Sequence, residues 1–365
     1  MGIFDTVKDL IPTFGSSADQ AVGVDIGSSS VKIVQLKKEK SKIVLETYGE
    51  ITLGPYDKDR PIGSLVAFEP GIVGPALTDL IREANVTSKN SIVSIAAAAS
   101  LMFVLKLPIS SEKQLDSIVP TEARKYIPLS PGEISLDWWR IPNYTNRDVK
   151  PTDDIEILVV AIRNDAVSTY RSIVAQTPIT GEVFEGETFS AVRSVVHREL
   201  SSVLIVDFGA SATRVSVVQY GIVKKFQTIN RGSYQMSNAL ATSLNVSFTK
   251  AEELKRKQGL ITDGSTDENV KRIIEVHTGY IFSEIKNVIL DYEKEYHKPI
   301  TKILCIGGGS LLPDLVPSMK QAFQIDVILG DPFDRVENPA FLDGVLQTSG
   351  PIFAIAIGLA LNQFE

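Results

Sequence analysis

The sequence predicts an α/β fold made of two similar half-domains, and three observations carry that prediction. A strand-turn-strand unit runs through residues 22–36, with Asp25, Gly27, Ser28 and Ser29 at its turn. The same unit returns near residue 203. Val24-Asp25-Ile26-Gly27-Ser28-Ser29 aligns with Val206-Asp207-Phe208-Gly209-Ala210-Ser211 without a gap, which puts Arg214 at the position of Lys32 and Val215 at that of Ile33. An apolar run at 303–306 then ends in Gly307-Gly308-Gly309-Ser310. Two matched units imply two half-domains of one design, and mixed strand and helix patterns imply sheets covered by helices.

The elements follow in order. Residues 22–26, 31–36 and 43–51 read as strands, and the run Lys37, Lys38, Glu39, Lys40 as a solvated hairpin tip. Ile72, Val73, Ala76, Leu77, Leu80, Ile81 and Ala84 recur at helical spacing and predict a helix over 71–84. Residues 91–97 read as the returning strand. Residues 100–178 look like a separate module, with strands at 101–107, 133–141 and 155–162 and a polar loop at 143–154. A helix at 112–127, bounded by Pro108 and Pro128, is expected to kink or split at Pro120. Asp165 is a plausible N-cap for a helix over 166–176. In the second half a strand at 203–209 leads to a hairpin of 213–220 and 222–229 around Gly221. Thr249 with Glu252 three residues on reads as a capping box for a helix at 249–259. Helices are also expected at 277–296, at 311–323 with interruptions near Pro313 and Pro317, and at 351–361, which packs through Phe353, Ala356, Ile357 and Ala360.

Bulk composition narrows the class. A chain of 365 residues exceeds the usual single domain, so two lobes or more are expected. Its 37 basic and 44 acidic residues leave a net charge of −7, which argues against a broad nucleic-acid surface. The single cysteine, Cys305, cannot make an intramolecular disulfide or a cysteine-rich metal site; its apolar surroundings read as a buried core position, and a reducing cytoplasm fits. His197, His277 and His297 show no metal-ligand spacing, which argues against zinc. No apolar run is read as long enough to cross a bilayer, and the N-terminus lacks a secretory pattern. Ile3, Phe4, Val7, Leu10 and Ile11 share one helical face, so the N-terminal 20 residues read as an amphipathic segment, docked on the body or frayed. A membrane-surface contact is the alternative. Gly2 with Thr6 also fits the short myristoylation pattern, which is matched cheaply.

The turns carry the chemistry. A phosphate tail needs backbone N–H donors and no crowding side chain, and tight turns of Gly, Ser and Ala present such amides as an anion nest. Gly27-Ser28-Ser29 and Gly209-Ala210-Ser211 both suit this. Amides do not neutralise a triphosphate, so a divalent cation is required. Asp25 and Asp207, each two residues before its turn glycine, are placed to hold Mg²⁺ directly or through water. Alone, either turn is equally a plain hairpin, and a strand-end Asp a turn cap. Gly307, Gly308, Gly309 and Ser310 add a flat backbone for a base or ribose, with a helix start behind it; a mere strand-to-helix connection is the alternative. Glu252 and Lys255, three apart on one helix face, either contact ribose and adenine or form an exposed ion pair.

With these residues in view, the stretches 22–35, 204–218 and 303–315 resemble the phosphate-one, phosphate-two and adenosine motifs of the actin-like ATPase superfamily. Within it the chain is most similar to the PilM family of bacterial type IV pilus machines, and more distantly to the cell-division protein FtsA. The segments Val24-Asp25-Ile26-Gly27-Ser28-Ser29-Ser30-Val31-Lys32, Ala251-Glu252-Glu253-Leu254-Lys255 and Glu122-Ala123-Arg124-Lys125-Tyr126-Ile127-Pro128 carry that similarity. The resemblance implies an actin-like fold of two ribonuclease-H-like half-domains, binding ATP with Mg²⁺ through the residues above together with Lys32. It implies four subdomains: 1A from residues 21–100, 179–202 and 351–365; an inserted 1C at 101–178; 2A from 203–237 and 301–350; and 2B at 238–300. Family members bind the cytoplasmic N-terminal tail of PilN, so the expected partners are that tail and, beyond it, pilus motor ATPases or a platform protein. The expected location is cytoplasmic, at the inner face of the cell membrane. The resemblance also places Glu187, with Glu185 beside it, as the group that would orient an attacking water; a helix-start carboxylate is the plainer reading.

Two departures bear on turnover. Arg231-Gly232-Ser233 stands where the family tends to have paired glycines, and Arg214 is bulky beside the second phosphate motif. Slow or negligible hydrolysis is therefore expected. A polymerising, self-associating cytoskeletal ATPase and a small-molecule kinase are the competing readings on the same fold; no separate acceptor-base motif for a kinase is seen. The tail is expected to add as a strand beside the 100–178 module, at an edge or groove offered by 101–107 or 155–162.

Overall fold

The computed structural model describes residues 19–108, 114–142, 155–197, 201–261, 264 and 267–364. The amphipathic segment at 1–14, the loop at 143–154 and the start of the helix at 112–127 lie outside the described residues. The elements are β1 (Gln20–Ile26), β2 (Ser30–Glu39), β3 (Lys42–Thr52), α1 (Pro70–Glu83), β4 (Asn90–Ile95), β5 (Ser100–Leu107), α2 (Leu115–Ala123), β6 (Ile134–Arg140), β7 (Ile155–Arg163), α3 (Asn164–Val174), β8 (Thr180–Gly186) and α4 (Glu187–Val195). There follow β9 (Ser202–Phe208), β10 (Thr213–Gln219), β11 (Ile222–Ile229), α5 (Ser233–Leu244), α6 (Phe248–Gln258), α7 (Glu268–Tyr296), β12 (Ile300–Ile306), α8 (Leu315–Phe323), β13 (Asp326–Leu329), α9 (Asp343–Ser349) and α10 (Ala354–Asn362).

The repeat seen in two short turns extends to two whole sheets. One has the order β3-β2-β1-β4-β8 and the other β11-β10-β9-β12-β13. In each, a three-stranded antiparallel meander is followed by two parallel strands. The inner strands β1 and β9 are apolar almost throughout and buried along their length, as strands covered on both faces must be. One face of the first sheet packs on α1 and α3, where Val22, Val24 and Ile26 meet Val73, Leu77, Tyr170 and Ile173. The second packs on α5, α7 and α8.

The strands at 100–178 form a third sheet of order β5-β7-β6, antiparallel throughout. Period-two alternation splits its central strand. Ile157, Val159 and Ala161 pack with α2 residues Leu115, Val119 and Ala123. Leu158 and Val160 face the other way, among Val203, Ile205 and Val218 of the second half-domain. The sheet order corrects one expectation: β7 is central, so the strand at 155–162 has no open edge.

The last helix is the common wall. Residues Ala354 to Leu361 of α10 are all buried, and a Cβ on Gly358 would lie 1.9 Å from the Ser190 carbonyl oxygen of α4. The helical stretch Ala340–Asn362 does have the length and apolar composition of a membrane span, which corrects the sequence reading, but its most apolar window is 67% buried within the fold. That is how a core helix reads.

Two caps differ from expectation. Ser247, not Thr249, caps α6, accepting a bond from the Lys250 amide, and Glu252 is drawn into other contacts. Helix α3 starts at Asn164 with no side-chain cap; Asp165 is in its first turn and pairs with Arg163. Helix α2 does not split at Pro120, which lies within it. The hairpin at Gly221 turns as expected, with Tyr220 at φ 54° and Gly221 at φ 76°.

Candidate functional site

The two phosphate-type turns are built alike. The Gly27 amide donates to the Ser30 carbonyl and the Gly209 amide to the Ala212 carbonyl, each at 3.0 Å. That bond closes each turn and leaves the crest amides out of it. Asp25 pairs in register with Lys32, and Asp207 with Arg214. Both carboxylates come from the ends of inner strands and are nearly buried. Ser94, on β4, donates to Asp25 Oδ1 at 3.1 Å and accepts from the Ile26 amide. Burial pushes the Asp25 carboxyl up; Lys32 opposes this, and the charge of Asp207 reinforces it.

Both turns face one cleft of about 830 Å³, within the range of nucleotide-sized pockets. Asp25, Gly27, Ser28, Ser29, Lys32, Asp207, Gly209, Ala210, Ser211, Glu252, Lys255, Gly307, Gly308 and Gly309 line it, as does Glu187. Ser310 does not; it is buried and donates to the Gly307 carbonyl at 2.7 Å. Gly307 is at φ 80°, and a Cβ there would meet Asp207 Oδ1 at 2.3 Å, so only glycine brings strand β12 this near the carboxylate. Residues Gly308–Leu311 form a 3₁₀ turn and α8 begins only at Leu315, so no helix start follows the glycines directly.

Glu252 and Lys255 are buried rather than an exposed pair. Lys255 Nζ lies 2.7 Å from Glu252 Oε2 and 3.2 Å from the Ser233 carbonyl, while Arg256 holds Oε1 at 2.7 Å and Ser237 holds Oε2. Burial works to raise the Glu252 carboxyl, but Lys255, Ser237 and Arg256 outweigh it and the carboxyl lies below its ordinary value. Burial pulls the Lys255 ammonium down, opposed by Glu252. The first amides of α5 are already engaged: Ser233 and Tyr234 donate to the Gly209 and Ala210 carbonyls, bracing the second turn.

Glu187 opens helix α4 and is buried at the wall of the cleft. Its Oε2 accepts from the Ala97 amide at 3.0 Å and lies 3.1 Å from Arg214 Nε. That nitrogen has no aligned hydrogen-bond acceptor, so the contact is a charge pair. Burial pushes the Glu187 carboxyl up to about 7; Arg214 opposes it, and Asp25 and Asp207 add to it. Glu185 is elsewhere, bonded to Arg193, Ser190 and Asn362. Among the described residues no three His, Cys, Asp or Glu side chains form a metal cage. Two hard carboxylates from facing half-domains still fit Mg²⁺, which keeps waters and takes phosphate oxygens as further ligands.

The sequence matches the family described as type IV pilus assembly protein PilM over residues 23–364. The chain belongs to the PilM family. The PilM chain of a solved PilM–PilN type IV pilus biogenesis complex is 21% identical, with a TM-score of 0.80 over 94% of this chain and 98% of that one. The ethanolamine utilization protein EutJ of Carboxydothermus hydrogenoformans is 16% identical, TM-score 0.54, over 94% and 89%. MreB5 of Spiroplasma citri, solved bound to ADP, is 10% identical, TM-score 0.50, over 93% and 95%. The PilM-family fold is therefore the actin-like one.

Several residues that line or support the cleft escape sequence reasoning. Ser94 shows only as one hydroxyl in an apolar strand. Ser237 carries no local signal, and Arg256 shows only as a base four residues after Glu252. The strap after β3 is a further case: the Val66 amide donates to the Ser28 carbonyl, and Gly63, at φ 87°, sits so near Glu252 that a Cβ would be 3.1 Å from its carboxyl carbon. It spans from the first phosphate turn to the opposite half-domain, a contact of tertiary origin.

Proposed function

We propose that the chain is an ATP-binding adaptor of a type IV pilus machine that captures the cytoplasmic N-terminal tail of PilN. One observation carries the nucleotide half: two Asp-turn units and a glycine-rich strand end, from facing half-domains, line a single cleft of about 830 Å³. ATP would lie with its phosphates between the two turns, Mg²⁺ held by Asp25 and Asp207, and its adenosine between the Gly307–Gly309 backbone and the Glu252–Lys255 pair. Glu187 faces the same cleft and is the group that would orient water; its pairing with Arg214 favours slow turnover. Membership of the PilM family, and a relative of this fold solved with PilN, support the partner half. The tail would add at an edge of the third sheet, which the strand order limits to β5 or β6. The chain would thus sit at the inner face of the membrane and pass nucleotide state to motor components, with subdomains 1A, 1C, 2A and 2B divided as the resemblance implies.

The test is a fluorescence anisotropy titration of the synthetic PilN tail, encoded in the same genome, with intact protein. Saturable binding that shifts on adding Mg-ATP is the expected result. No binding with or without nucleotide would remove the adaptor reading.

A further inference from the structure

The two turn units differ in what their basic residue does. A Cβ on Gly27 would lie 3.5 Å from Lys32 Nζ, and one on Gly209 3.4 Å from Arg214 Nη1, so a cation head stands beside each turn. Lys32 is drawn towards β3, 3.9 Å from Glu50. Arg214 instead reaches between elements: Nη1 lies 3.2 Å from Asp207 Oδ2 on β9, and Nε 3.1 Å from Glu187 Oε2 on α4. Its side chain is 15% exposed, and its Nε is buried without a hydrogen-bond acceptor. Asp25 lines the same cleft from the first half-domain. Two buried carboxylates, Asp207 and Glu187, thus share one guanidinium, with Asp25 in the same cleft and no three-ligand metal group among the described residues. Buried like charges held together need a cation or a shared proton, and here a cation is at hand. A guanidinium can address two carboxylates from different elements at once, which a lysine cannot do as well.

We propose that Arg214 is an internal counter-cation, standing where a divalent ion would otherwise bridge Asp207 and Glu187 and holding the carboxylates together before any ligand binds. Its removal converts the cluster into a divalent-cation site. The inference concerns the ligand-free protein and goes beyond the adaptor reading, so either can fail alone.

The test is direct Mn²⁺ binding to nucleotide-free protein, read from the electron paramagnetic resonance signal of free Mn²⁺, with thermal unfolding alongside. The Arg214→Gln variant should bind Mn²⁺ at least roughly tenfold more tightly than wild type, the factor set by about 1.4 kcal/mol. It should also be less stable than wild type without the ion and regain stability with it. Arg214→Lys keeps a charge, so its Mn²⁺ affinity should stay near wild type. Equal Mn²⁺ affinity of Arg214→Gln and wild type would overturn the proposal, as would Arg214→Lys binding as tightly as Arg214→Gln. If Arg214→Gln does not fold, the double variant Arg214→Gln with Glu187→Gln decides. It removes one charge of each sign and should be recovered folded; its failure to fold would refute the counter-cation role.

Discussion

Asp25 concentrates the demands on the cleft. It is buried at a strand end, hydrogen-bonded by Ser94 and close enough to Asp207 to feel its charge. Ligand at a thousand times its dissociation constant stabilises a protein by about 4 kcal/mol. Mg-ATP at that excess should therefore raise the melting temperature of nucleotide-free wild type, and Asp25→Ala should lose most of the gain. A wild type whose melting temperature ignores Mg-ATP would contradict the assignment. Glu187 sets a pH signature. Its carboxyl goes from an ordinary value of 4.5 up to about 7 in the fold, so the native state holds the proton more tightly than the unfolded chain. Stability from this group is full below about pH 4.5, falls as pH rises to about 7, and is level above, a loss of about 3 kcal/mol. Urea unfolding across that window should show wild type losing stability relative to Glu187→Gln. A gap between the two that does not change with pH would disprove it.

At the scale of elements, α10 decides how closely the parts pack. Its Gly358 lies against the Ser190 backbone of α4, and Gly23 of β1 would put a Cβ 1.9 Å from the Ala356 carbonyl oxygen. Both neighbours are main chain and cannot step aside. Gly358→Ala should cost about 3 kcal/mol or more through overpacking. Gly279, on an exposed face of α7 where an added methyl would meet nothing within 4 Å, is the control. Gly279→Ala should stabilise by about 0.5–1 kcal/mol, because alanine loses less backbone entropy in a helix. Chemical denaturation of the pair measures both, and a like-signed result would show that close packing at Gly358 is not what matters.

Across the whole molecule, the cleft is assembled from stretches far apart in sequence. Ligand that spans it must quiet all of them together. Hydrogen exchange with Mg-ATP bound should slow at residues 25–30, 209–211, 252–255 and 307–309 in one ligand-dependent step. Protection confined to one half-domain would mean that the ligand sits on a single turn and does not bridge the cleft.

How much of this was legible beforehand depends on how local each cause is. The gap-free match of Asp25-Ile26-Gly27 to Asp207-Phe208-Gly209 announced the repeat, because tight turns and strand alternation are written in neighbouring residues. The same holds for the hairpin at Gly221 and the buried Cys305. Caps were harder: Ser247 and Thr249 are both capping types, and the path of the chain chose between them. The central place of β7 could not be read, since strand order is set by which partners close in space. Ser237 on Glu252, Gly63 across the cleft and Arg214 between Asp207 and Glu187 were likewise decided by tertiary structure alone. The sequence by itself determined which turns could receive an anion; the fold decided which charges would share one buried volume, because Coulomb energy depends on distance in space and on desolvation, and neither is a property of sequence separation.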